Sequence, residues 1–211
     1  MSHALIGEIA GVLGILQIIP YVIDIFRGHT KPERATYFIW FIVDTVTITS
    51  YIAVGARTTI WVGLVYVFSG LLIFGLSIKY GMGGYSTFDI ICLVLALIGL
   101  TLWVTSKNAL LALYFSVFVA TIGYLPTIKK AYFYPETENT LSWTITACTG
   151  ILNFFALTSF TLTLAFPLIS SAITSGLVAY LLLFPIAHAR MKERRFLRKI
   201  HLLLSHPILL K

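Results

Sequence analysis

One carboxylate, Asp44, interrupts an otherwise apolar run that begins near Ala35. About nine helical residues carry it roughly 13 Å from that start, close to the middle of a hydrocarbon layer about 30 Å thick. A charged Asp at that depth costs roughly 2.5 to 3.5 kcal/mol, so it is expected to face a bundle interior or a water-filled cavity and there to bind a cationic group or a proton. The competing expectation is a protonated Asp hydrogen-bonded to a neighbouring helix as structural glue. Tyr37, Trp40, Thr47 and Tyr51 share its face, since positions three and four apart fall within an arc of about 80° on an α-helix. Phe38, Ile39, Phe41, Ile42, Val46, Ile48 and Ile52 fill the rest of the surface and suit lipid or packed neighbours. In a membrane the polar face is the one that turns inward.

Other residues extend the pattern. A later stripe runs Trp143, Thr146, Gly150, Asn153 and Leu157, with Asn153 as its amide. Gln17 lies with Gly14, Tyr21 and Asp24 on one face of the first apolar run, and Tyr66, Ser69 and Ser175 offer further hydroxyls. The Ser-Gly pairs at 69–70 and 175–176 also suit close helix approach. Pro20 and Pro126 each remove a backbone donor and mark bending points. Asp24 is expected to pair with Arg27, Lys129 or Lys130, and Glu8 to sit at an interface. The candidate substrate- or proton-binding set is Asp44, Asn153, Thr47, Trp40, Tyr66 and Gln17, with Pro20 and Pro126 as hinges. No catalytic, metal or cofactor site is expected. The histidines are scattered at 3, 29, 188, 201 and 206, and no phosphate-binding loop or zinc-ligand spacing occurs. Cys92 and Cys148 both lie in apolar segments and read as small buried hydrophobes. An enzyme is disfavoured.

The elements that must position these residues follow from composition. Hydrophobic residues make up 58% and charged residues 11% of the 211, with a mean hydropathy of +0.93. A water-soluble surface cannot be built from that balance. Seven apolar runs lie near residues 5 to 26, 35 to 55, 58 to 78, 88 to 105, 109 to 133, 141 to 163 and 166 to 188. The chain is therefore expected to be an all-α membrane protein with seven transmembrane helices. Lys31 and Pro32, the glycines at 81, 83 and 84, and Pro135 mark boundaries. Pro167 is expected to separate the last two helices, whose linker has no charge.

Thirteen of the 15 Lys and Arg residues then fall on one side, and only Arg57 and Lys107 on the other. Cytoplasmic loops carry such an excess, so the amino terminus is expected outside and the carboxyl terminus in the cytoplasm. The first run is read as a retained helix, not a secretory signal. The net charge of +7 is thus explained by orientation, with no nucleic-acid partner. The basic run from Arg190 to Lys199, with Phe196, Ile200 and Leu203 at helical spacing, suits anionic lipid. The other expected partners are the bilayer and a small-molecule solute, and the sequence leaves open whether the chain forms an oligomer.

Shifting the chain by 106 residues superposes the first three helices on the last three. Pro20 falls on Pro126, Thr36 on Ser142, Tyr37 on Trp143, and Ser69-Gly70-Leu71 on Ser175-Gly176-Leu177. Spacing and punctuation carry this repeat more than identity does. The division is then residues 1–80 as a first three-helix repeat, 81–107 as a linker helix, 108–188 as a second repeat and 189–211 as a basic cytoplasmic tail. An odd linker helix makes the two repeats parallel.

This plan, with a proline in the inner half of the first helix of each triplet, resembles the PQ-loop superfamily, which includes the SWEET sugar facilitators, lysosomal amino-acid exporters and, more distantly, the KDEL receptor. The local wording is closest to uncharacterised bacterial members. The prolines stand in Ile19-Pro20-Tyr21 and Leu125-Pro126-Thr127, with no glutamine after either. The resemblance implies a transporter or facilitator of a small polar solute, proton-linked or passive, working by alternating access between two triple-helix bundles. A non-transporting receptor or sorting protein using the same cavity, and a structural or lipid-interacting membrane protein, are the alternatives.

Overall fold

The computed structural model describes residues 2–82 and 87–185. The basic tail and the glycines at 83 and 84 lie outside the described residues. The described chain is all-helical. It forms α1 (His3–Phe26), α2 (Arg34–Ala53), α3 (Ile60–Tyr80), α4 (Thr87–Ser106), α5 (Ala109–Phe133), a 3-10 turn at Pro135–Thr137, α6 (Thr140–Phe155) and α7 (Leu162–Leu183). Five of these, α1, α2, α3, α5 and α7, are long and apolar enough to cross a membrane. At 16 residues α6 is shorter than the roughly 20 that a full hydrocarbon crossing takes.

Polar side chains just ahead of the helices start several of them. Ser2, Asn108, Asn139 and Thr161 each accept a hydrogen bond from a backbone N–H of the following first turn, satisfying donors that have no partner inside the helix. Thr161 corrects the expectation placed on Pro167. The last boundary falls at residues 156–161, and Pro167 lies inside α7. Its ring cannot donate to the Thr163 carbonyl, but one lost bond near a helix start is tolerated where a capping hydroxyl has already set the turn. The Thr161 cap, and not the proline, was the informative signal.

The helices are inside out relative to a water-soluble bundle. On α1, Val12, Ile15, Ile19, Ile23 and Phe26 are exposed while Gly14, Gln17 and Tyr21 are buried. Outward apolar and inward polar faces are what an apolar solvent demands. Packing is ordered. The principal helix contacts run α1 with α3, α3 with α2, α2 with α5, α5 with α7, α7 with α6, and α6 back to α1. These close a ring of six helices, with α4 outside it against α5 and α2.

Close approach within the ring depends on small residues. A side chain at Gly7 would run into the Thr58 carbonyl, and one at Gly11 into Trp61, so α1 lies directly on the start of α3. The start of α2 is fastened to the end of α3 by Arg34, whose Nε donates to the Ser77 carbonyl (3.0 Å) and Nη2 to the Gly81 carbonyl (3.2 Å). A guanidinium at the last carbonyls of a helix satisfies acceptors left open there.

Candidate functional site

The centre of the ring holds a cavity of about 160 Å³, to which all six ring helices contribute. Gln17 from α1, Trp40, Asp44 and Thr47 from α2, Tyr66 from α3 and Asn153 from α6 all line it. The six candidate residues therefore converge on one space. Pro20 and Pro126 lie inside α1 and α5 but do not line it, whereas Pro167 does. Ser69 borders the cavity, and Ser175 is buried outside it, donating to the Ser171 carbonyl (2.6 Å).

The polar groups differ in how far they are already committed. Thr47 donates to Ser116 Oγ (2.9 Å), joining α2 to α5, and Gln17 pairs with Thr146, joining α1 to α6. Asn153 donates through Nδ2 to the Thr59 carbonyl (3.2 Å), and its Oδ1 is buried without a partner among the described residues. Trp40 Nε1 points at the Ala120 carbonyl (3.4 Å), its ring edge lying over Gly123, where a methyl group would fall 2.9 Å from that nitrogen.

Asp44 is different. It is half-buried and makes no ion pair or hydrogen bond among the described residues. Tyr66 and Tyr124 lie within its electrostatic reach, and the Tyr66 hydroxyl faces Ser171 without a well-formed hydrogen bond among the described residues. Among the described residues no Lys, Arg, His or second acid lines the cavity. An unpaired carboxylate aimed into an enclosed space is costly unless something arrives to compensate it.

An aromatic cluster walls one end. Trp40 packs against Tyr124 (ring centroids 4.6 Å), Trp143 (6.2 Å) and Tyr37 (5.3 Å), and Tyr37 against Tyr21 (5.9 Å). Beneath it sits a network that sequence reading missed. Glu138 Oε1 accepts from Lys130 Nζ (2.8 Å), while Oε2 accepts from Trp143 Nε1 (2.9 Å) and Tyr21 OH (3.1 Å). Lys130 also donates to the Lys31 carbonyl. The carboxylate thus ties together α1, α5 and α6, and Lys130 adds the α1–α2 connection.

This overturns the pairing expected of Asp24. Lys130 is taken by Glu138, and Asp24 instead accepts from Asn139 Nδ2, with His29 3.8 Å away. The only sequence signal for Glu138 was an acid one residue ahead of the Asn139 cap, which carries no periodicity. At the opposite end Tyr51 OH donates to the Leu164 carbonyl (2.8 Å) and accepts from Thr59 (3.0 Å), closing α2, α3 and α7 together.

No family model, curated protein or solved structure matches the chain.

Proposed function

We propose that the chain is a membrane transporter or facilitator of a small polar solute, with the central cavity as its binding site and Asp44 as the group that takes up a cationic moiety or a proton. The observation that carries this reading is the unpaired Asp44 carboxylate in a cavity to which every helix of the ring contributes. Intramembrane acids in such positions mark substrate and proton pathways.

The arrangement proposed is seven spanning helices, of which α1–α3 and α5–α7 are parallel repeats joined by α4, as in the PQ-loop and SWEET-like plan. Three features support it. Within each triplet the third helix packs on the other two, and the contact of α2 with α5 has its counterpart in that of α6 with α1. The pairing is also kept at the level of residues. Trp40 lies over Gly123 in one seam, and the residues 106 positions on and back, Thr146 and Gln17, meet in the other. Finally, Pro20 and Pro126 interrupt α1 and α5 at matching depths, where bending accompanies alternating access. The excess of Lys and Arg supports a cytoplasmic position for the Glu138 end.

Proteoliposomes loaded with the purified chain and offered sugars, amino acids and amines, with and without a pH gradient, test the reading. Saturable uptake of at least one solute above protein-free vesicles is expected. Tight binding of a solute without any flux would sink transport and favour a receptor.

A further inference from the structure

We propose that the cavity selects a small organic ammonium ion, its charge facing Asp44 and its alkyl groups lying on the aromatic wall formed by Trp40, Tyr124 and Trp143. The proposal rests on the reading of the cavity as a solute site and names the class of solute.

Charge is the first constraint. Asp44 is the only carboxylate lining the cavity, no basic side chain lines it, and no protein cation pairs with Asp44 among the described residues. An anionic solute would meet uncompensated repulsion there, whereas a cation supplies what the site lacks.

Hydrogen-bonding capacity is the second. A sugar must replace many bonds to water when it is enclosed, and each one left unmade is costly. The groups at the aromatic end have little to offer. Trp143 Nε1 is held by Glu138, Trp40 Nε1 points at the Ala120 carbonyl, Thr47 is bonded to Ser116, and Thr146 to Gln17 and the Ser142 carbonyl. What remains free at that end is π-surface and the Ser142 hydroxyl, with Tyr66 OH, Ser171 Oγ and Asn153 Oδ1 the other unpartnered groups on cavity-lining residues. Trp40, Tyr124 and Trp143 stand 4.6 to 6.2 Å apart, with planes inclined by 47° to 69°, forming an angled wall one helical turn from Asp44. Alkylammonium groups are attracted to such faces within about 6 Å of a ring centroid.

Size is the third. About 160 Å³ is close to the cavity of about 150 Å³ that takes up benzene, so a ligand of about five to eight heavy atoms is the right scale. A bare metal ion fits less well, because no group of His, Cys, Asp or Glu that could hold one gathers among the described residues.

The test uses the full purified chain with three probes: tetramethylammonium, choline, and 3,3-dimethylbutan-1-ol, which has the shape of choline without its charge. Binding is read by calorimetry and tryptophan fluorescence, and flux by choline uptake into proteoliposomes. Choline is expected to bind saturably and about tenfold or more tighter than the neutral alcohol. Asp44→Asn and Tyr124→Leu should each weaken it by about tenfold, while Tyr124→Phe, which keeps the ring face, should lose clearly less than Tyr124→Leu. Equal affinity for choline and the alcohol, or no binding of either ammonium ion to wild type, overturns the proposal. If ammonium binding fails while another solute is carried in an Asp44-dependent way, the cation class falls and transport stands. If choline binds selectively without flux, the cation class stands and transport falls.

Discussion

The seam between α2 and α3 and the seam between α6 and α7 lie on opposite sides of the cavity, and they are built differently. At mid-depth the first presents Asp44 and Tyr66 to the cavity. At the positions 106 residues later the second has Gly150 and Ala172, where a methyl group on Gly150 would fall 3.1 Å from the Ala172 Cα. At that depth one seam carries charge and hydroxyl where the other is drawn together, and the first seam makes its own close approach a turn away, at Gly70 against Phe41. Equivalent helix positions can thus share packing while the chemistry is loaded on one side. The ends of the two triplets near Lys130 and Asp24 are also unequal. A buried pair joins Lys130 to Glu138, whereas residues 24 and 32, 106 positions earlier, are Asp24 and Pro32.

The largest effect expected on this comparison comes from that ion pair. Glu138→Gln leaves Lys130 buried without its counter-charge, and removing one partner of a buried pair costs about 3 to 5 kcal/mol. Thermal unfolding in detergent should show a large loss of stability, and the double variant with Lys130→Met should recover part of it. A smaller contrast separates two glycines. Gly70→Ala would press a methyl group to 3.1 Å from the Phe41 Cα and should destabilise by about 1 to 3 kcal/mol. Gly176→Ala has open space and should be neutral or stabilising by about 0.5 to 1 kcal/mol. Equal responses of the two would erase the asymmetry between the seams. The smallest effect belongs to the α2–α5 contact, where Thr47→Val removes the bond to Ser116 and should cost about 1 kcal/mol. Chemical unfolding of both proteins side by side checks it.

Much of this was legible in the sequence because the bilayer simplifies the code. Apolar length gives the helices, and a polar residue at mid-helix has to turn inward, so Asp44, Asn153 and Tyr66 could be assigned to one interior before any coordinates. The commitment of Thr47 to Ser116 and of Gln17 to Thr146 was not legible, since it depends on which helices become neighbours. Glu138 escaped for a different reason. Its importance comes from Lys130 and Tyr21 meeting it across the bundle, and no spacing along the chain encodes that meeting. The last boundary was misplaced because a proline was given more weight than the Thr161 cap, although the cap is what sets a helix start.

Asp44→Asn, measured for solute flux and for stability in the same preparation, tests most directly whether the carboxylate serves a ligand or the fold. Since no group among the described residues compensates Asp44, flux should be lost while the thermal midpoint is unchanged or higher. Wild-type flux together with a lowered midpoint would contradict the role given to Asp44 and make it structural glue.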